Sequence, residues 1–238
     1  MKASLFAAVL GIALAAAGCG EKLCHVEVDA ISRNPVALSQ TYHLVPAMRD
    51  VSEQSLQFQE YAGYIHRVLQ DKGFSVADPN EAELLVLVSY GLGAPQTSYS
   101  TFTTPIYGWT GGGTRTYSET TRGPDGTSRV TGTVTDAGRY GVVGAESHLT
   151  THTTYPRYLF LGAYDARRLR QSNGQDPVEV WNTAVVSTGS SDDLRAVMPI
   201  MIAAAADYFG GNTGSKIKKT MFPGNRKVKW VKGESPAP

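Results

Sequence analysis

The chain of 238 residues carries 22 Lys and Arg against 21 Asp and Glu, a formal charge of +1, with 42% hydrophobic and 18% charged residues. This is ordinary globular composition, enough for one sizeable core or two small ones. Two cysteines exclude a fold stapled by several disulfides, and no stretch beyond the first 18 residues is long and apolar enough to cross a membrane as a helix.

Lys2 precedes an uncharged run from Leu5 to Ala17, which closes on Ala16-Ala17-Gly18-Cys19. That is the layout of an export signal. As a helix the run spans about 20 Å, short of a hydrocarbon core of ~30 Å, so a permanent transmembrane anchor is the weaker reading. The four closing residues resemble the lipobox of bacterial lipoproteins. This implies a signal peptide over 1–18, lipidation of Cys19, and a short tether over 19–25. Ala15-Ala16-Ala17 also fits an ordinary signal peptidase, which leaves plain secretion as the alternative. Gly20 stands where enteric bacteria place the Asp that retains lipoproteins at the inner membrane, which favours the periplasmic side of the outer membrane. If Cys19 is acylated, Cys24 has no intramolecular partner; if not, a Cys19 to Cys24 bridge becomes open to it. A catalytic thiol at Cys24 beside His25 needs a base that only the fold can place.

Val26 to Ile31 alternates apolar and polar residues, and Tyr42 to Pro46 is a second extended piece after the turn-like Asn34-Pro35. From Val51 to Asp71 the period changes. Leu56, Phe58, Tyr61, Ile65, Val68 and Leu69 fall on one helical side, with Ser52 as a candidate N-cap and Gly73 as a stop. Leu84 to Val88 is the longest apolar run beyond the leader and predicts a central strand covered on both faces. Between Pro95 and Tyr155 the composition shifts to Thr, Ser, Gly and Tyr, predicting partly exposed hairpins with a turn at Gly123-Pro124-Asp125-Gly126. Tyr158 to Tyr164 and Val178 to Ser187 predict a strand pair joined by the charged connection Asp165 to Asp176. Ser190 with Asp193 suggests a capping box, and Leu194 to Phe209 an apolar helix ended by Gly210-Gly211.

The predicted fold class is α+β: a mainly antiparallel sheet with two helices packed on one face and a Thr/Gly/Tyr-rich β insert at about 95–156, within a domain over 26–211. This order, with Lys72-Gly73-Phe74 before Ala82-Glu83-Leu84-Leu85-Val86 and Asp165-Ala166 before Val178-Glu179-Val180-Trp181, resembles the bacterial lipoprotein family called domain of unknown function 4136. The resemblance covers roughly Val26 to Phe209. It implies an envelope lipoprotein and transfers no catalytic residue.

No catalytic constellation stands out. Gly91-Leu92-Gly93 is followed by Pro95 where a phosphate-binding helix must start, and Ser190 lies in no nucleophile elbow. Glu146 and His148, two apart on a Thr-rich strand, are weak metal candidates against the default of a solvated strand face. Asp165 with Arg167, Arg168 and Arg170 reads as a charged loop end, with anion binding as the minority reading. Residues 212–238 read as a basic tail: Lys216, Lys218, Lys219, Arg226, Lys227, Lys229 and Lys232 oppose Glu234 alone, so 7 − 1 = +6. Three readings stay open for it: a solvated tail, an arm onto anionic lipid or a polyanionic envelope polymer, and a clasp onto the chain's own acidic part. The expected function is a non-catalytic envelope binding or assembly module without a cofactor. Its partners are the membrane, through the lipid, and an envelope protein or polymer, not nucleic acid. The alternatives are a lipid or small-ligand carrier, needing an apolar cavity, and a metal-dependent envelope hydrolase using His148, Glu146 or Asp165.

Overall fold

The computed structural model describes residues 23–33 and 40–238. The expected signal segment 1–18, Cys19 and the turn expected at Asn34-Pro35 lie outside the described residues. The chain divides into two compact units, one formed by 1–94 with 155–238 and the other by 95–154.

In the first unit β1 (Cys24–Ser32) and β2 (Thr41–Pro46) precede α1 (Leu56–Asp71), and β3 (Ser75–Val76) leads to β4 (Leu84–Leu92). The second unit holds β5 (Gln96–Thr110), β6 (Gly113–Gly123) and β7 (Gly126–Asp136), and β8 (Arg139–Asp165) carries the chain back into the first. There follow α2 (Ala166–Gln171), β9 (Glu179–Gly189), α3 (Leu194–Ala205) with a 3-10 turn at Ala206–Tyr208, β10 (Ile217–Met221) and α4 (Arg226–Lys232). Along the sheet the first-unit strands run β10-β1-β9-β8-β4-β2-β3.

The expectation of two helices on a mainly antiparallel sheet is corrected. There are four helices among the described residues, and the sheet is mixed, because β2 runs parallel to both β4 and β3. The cause lies in the connection. A single helix, α1, carries the chain from β2 to β4, and a helical crossover returns it in its original direction, whereas a tight hairpin would reverse it. The two helices missed are short. For α2, Asp165 caps the N-terminus by accepting from the backbone N–H groups of Arg167 and Arg168, both at 3.0 Å. For α4, the Asn225 side chain accepts from Lys227 N at 2.9 Å, and Gly233 closes the helix at φ 83, a left-handed conformation that suits glycine.

One core joins α1, α3 and α4 to a single face of the sheet. Leu84, Val86, Val88 and Tyr90 of β4 point into it with Leu159 and Leu161 of β8, Trp181 and Val185 of β9, and Val26 and Val28 of β1. Trp181, Tyr61, Ile65, Met198 and Ile202 are among the largest fully buried side chains. Burial along β4 alternates, with Leu85 and Leu87 half-buried, so the strand expected to be covered on both faces is fully covered on one. It lies inside the sheet, between β2 and β8. The helix expected to start at Ser190 starts at Leu194, because the Asp193 carboxylate accepts from Ala196 N at 3.0 Å and caps it.

The basic C-terminal stretch is folded as well. β10 pairs with β1 from Cys24 opposite Met221 to Val28 opposite Ile217. In α4, Val228, Trp230 and Val231 are buried between the charged positions, and Arg67 of α1 donates to the Val231 carbonyl.

Candidate functional site

The Thr, Val and Tyr of residues 95–154 favour strands because β-branched and aromatic side chains suit an extended backbone. β5 pairs with the first part of β8 from Gln96 opposite Thr154 to Thr110 opposite Arg139, with one irregularity at Ile106/Tyr107. β6 and β7 form a separate two-stranded sheet. Since directly opposed residues share a face, the register sorts the side chains of the β5–β8 ribbon into two sets.

One face holds Thr97, Tyr99, Thr101, Thr103, Pro105, Tyr107 and Trp109 from β5, opposite Thr153, Thr151, Leu149, Ser147, Ala145, Val142 and Tyr140 from β8. It contains no Asp, Glu, Lys, Arg or His. Its large side chains stand in solvent: Tyr99 is 70% exposed, Leu149 68%, Trp109 72% and Tyr140 63%. At one end Tyr140 stacks on Tyr107, with ring centroids 6.3 Å apart, and meets Trp109 edge to face at 5.7 Å. The other face carries every ionisable side chain of that set on this ribbon: Arg139, Glu146, His148 and His152. The β6–β7 sheet shows no such sorting, since Arg115 and Glu119 occupy one face and Arg122 and Arg129 the other. On the uncharged face of the ribbon the exposed aromatic and aliphatic side chains stand among Thr101, Thr103, Ser147 and Thr151, and the opposite face exposes Phe102 and Ile106; large apolar side chains exposed in such number mark a contact surface in a folded protein.

Three clefts lie in the first unit. In a cavity of about 170 Å³, Leu23, Cys24, Val197, Ile200 and Pro223 surround Arg157. Arg157 is 3% exposed, and its Nε has no hydrogen-bond partner among the described residues. A Cβ on Gly189 would run into its Nη2. A second cleft, of about 240 Å³, is lined by His43, Glu53, Phe58 and His66. There His66 Nδ1 is hydrogen-bonded to Tyr42 Oη at 2.8 Å, and His43 Nε2 lies 3.4 Å from Glu53 Oε2. In the third, of about 390 Å³, Arg195 Nε donates to both carboxylate oxygens of Glu60, at 3.1 and 2.8 Å, and Tyr64 donates to the same group at 2.8 Å. Burial pushes the Tyr64 phenol up to about 12, with its bond to Glu60 adding to the rise. Burial also pushes the Glu60 carboxyl up, but the hydrogen bonds from Arg195 and Tyr64 outweigh it and leave the group below its ordinary value.

Burial, and secondarily the His43 charge, lowers the pKa of His66. Folding therefore favours its neutral form. That contribution is complete above the ordinary histidine pKa of about 6.5 and is lost as pH falls through the depressed value in the folded state. Urea unfolding is expected to show lower stability at pH 5 than at pH 7.5, with a smaller difference in His66→Gln. An equal pH dependence in the two proteins would remove His66 from the explanation.

The weak metal candidates Glu146 and His148 come together on one ribbon face, 3.9 Å apart, where His148 stacks on Phe102. No group of three or more His, Cys, Asp and Glu with metal-binding geometry occurs among the described residues. Asp165, named for a hydrolase, caps α2. Cys24 Sγ lies 3.2 Å from Ser187 Oγ. Of the basic candidates, Lys219 and Lys227 pair with Asp207 at 2.9 and 2.5 Å, and Lys216 and Lys218 pair with Glu27 at 3.8 and 3.1 Å. Lys232 pairs with Glu234, Arg226 donates to the Ala237 carbonyl, and Lys229 is exposed. Sequence reasoning placed Glu146 and His148 together on a Thr-rich strand. It missed the uncharged face opposite, which needs the partner strand and its register to be seen. It also missed Arg157, whose burial no local pattern signals.

No family model matches the chain, and no curated protein matches it. Among solved structures it is similar to a PDZ domain protein from Parabacteroides distasonis, with a TM-score of 0.35 and 13% identity, covering 84% of this chain and 39% of that one. The chain thus spans about two fifths of that protein's length.

Proposed function

We propose that the protein is a cell-envelope lipoprotein, acylated at Cys19 and held on the periplasmic side of the outer membrane, that acts as a non-catalytic binding or assembly module. The uncharged, solvent-exposed face of the β5–β8 ribbon is its contact surface and is the observation that carries this reading. The leader and the lipobox-like Ala16-Ala17-Gly18-Cys19 supply the anchor, and the resemblance to domain of unknown function 4136 agrees with it. From Cys19 to the start of β1 at Cys24 the chain reaches at most about 18 Å. The first unit is therefore held close to the bilayer. Two or three acyl chains anchor stably where one is marginal. Acylation is tested by growing cells with an alkyne fatty acid. The parent is expected to take up the label and lose its leader, and Cys19→Ser to do neither; equal labelling of both would refute the anchor.

The carrier reading stands second, because the cavity around Arg157 offers an apolar wall and a buried cation. At about 170 Å³ it falls below the roughly 300–1,000 Å³ of drug-sized ligand sites. It suits a small anion better than a lipid.

A further inference from the structure

We propose that the β5–β8 ribbon is a membrane-spanning hairpin that contributes two strands to the wall of a β-barrel built from several copies of this chain. The inference rests on the reading of this ribbon as the contact surface and names what it contacts: bilayer hydrocarbon on one face and a second copy of the chain at each edge.

The dimensions identify the hydrocarbon. From Tyr99 to Trp109 the uncharged face runs ten residues, about 34 Å at 3.4 Å per residue. Tilted by about 40°, as barrel strands are, this projects to roughly 26 Å, close to the ~25 Å apolar band of outer-membrane barrels. Aromatic side chains mark both ends, Tyr99 at one and Tyr107, Trp109 and Tyr140 at the other, as they do at the two interfaces of such barrels. Glu146, His148, His152 and Arg139 all project from the opposite face, where a lumen holds water. In the chain, the charges of β6 and β7, which fall on both faces of their own sheet, come after Trp109 and before Arg139.

The edges identify the neighbours. Among the described residues, β5 pairs only with β8, and that part of β8 only with β5, so there each strand presents one unpaired row of backbone N–H and C=O groups. A bilayer leaves no such row unsatisfied. Another ribbon of the same kind on each side supplies the missing partners, and closure removes the edges. The product is a pore lined by the ionisable face.

The test uses the full chain carrying Cys19→Ser and Cys24→Ser, so that it does not depend on the acyl anchor. Single cysteines labelled with bimane are placed at Thr101 and Ser147 on the uncharged face, and at Ser100 and Thr150 on the other. The protein is reconstituted by detergent removal into phosphatidylethanolamine and phosphatidylglycerol vesicles. Doxyl-labelled lipid is expected to quench Thr101 and Ser147, and aqueous iodide to quench Ser100 and Thr150. Iodide quenching at all four positions would place the ribbon in water and overturn the inference. So would protection of Thr101 and Ser147 from both quenchers, which would mean that protein covers the face. Failure here leaves the acylation result untouched, and failure of acylation leaves this result untouched.

Discussion

Trp230→Ala is expected to destabilise the first unit by about 3–5 kcal/mol, the usual cost of emptying a buried aromatic site. Trp230 is 6% exposed and lies beside Val228 and Val231, at 1% and 0%, in a helix whose remaining residues are basic. The side chain belongs to the shared core together with Val228 and Val231. Deleting residues 216–238 removes more: the three buried residues of α4, Met221, and the strand that covers the outer edge of β1. Burying each large apolar side chain contributes about 1.5–3 kcal/mol, so the sum approaches the roughly 5–15 kcal/mol that stabilises a whole domain. The truncated chain is expected to lose cooperative unfolding. A deletion that leaves the urea midpoint in place would show that the C-terminal stretch is an appendage.

Arg157→Met is expected to act in the opposite direction and stabilise the protein by about 1–3 kcal/mol. A buried donor without a partner costs its desolvation, and more when it is charged. Arg157 is 3% exposed, its Nε is unpartnered among the described residues, and no carboxylate pairs with it there. Methionine keeps the length of the stem and fits the apolar wall of Val197, Ile200 and Pro223. The measurement is the shift of the urea midpoint in purified protein. Destabilisation of similar size would mean that the guanidinium is satisfied in the cavity, for instance by a retained anion. Titrating inorganic phosphate against the parent separates that case, since it would raise the midpoint of the parent and not of the variant.

Helix α1 was legible because Phe58, Tyr61, Ile65, Val68 and Leu69 repeat at helical spacing and all are buried. Leu56, assigned to the same side, is 83% exposed at the first position of the helix. Helix α4 was obscured by its own composition. Its lysines dominate any charge count, while Val228 and Val231, three apart, make too short an apolar period to register among them. The parallel arrangement of β2 and β4 was present in the order strand, helix, strand, but pairing partners are set by tertiary packing and not by any local pattern. The ribbon shows the same limit. Alternation along β8 is readable from Glu146, His148 and His152, yet the uncharged face emerges only once Thr101 is set opposite Leu149 and Tyr107 opposite Val142.

That face is the proposed contact surface, and adjacent residues test it. Thr101 and Ser100 are neighbours in β5 with side chains on opposite faces, so arginine at either position adds the same charge to the same strand. In a chain that carries Cys19→Ser and whose residues 1–18 are replaced by a signal peptide cleaved by the ordinary signal peptidase, the fraction that resists alkaline carbonate extraction from membranes measures insertion by the ribbon alone. Arginine at the bilayer midplane of a barrel's lipid face costs about 2–4 kcal/mol, whereas a lumen position tolerates it. Thr101 lies between the Tyr99 end and the midplane, so Thr101→Arg is predicted to lower the resistant fraction relative to the extracted one by roughly fivefold or more, and Ser100→Arg to leave it near the parent level. Equal losses in the two variants, or none in either, would contradict a lipid-facing ribbon.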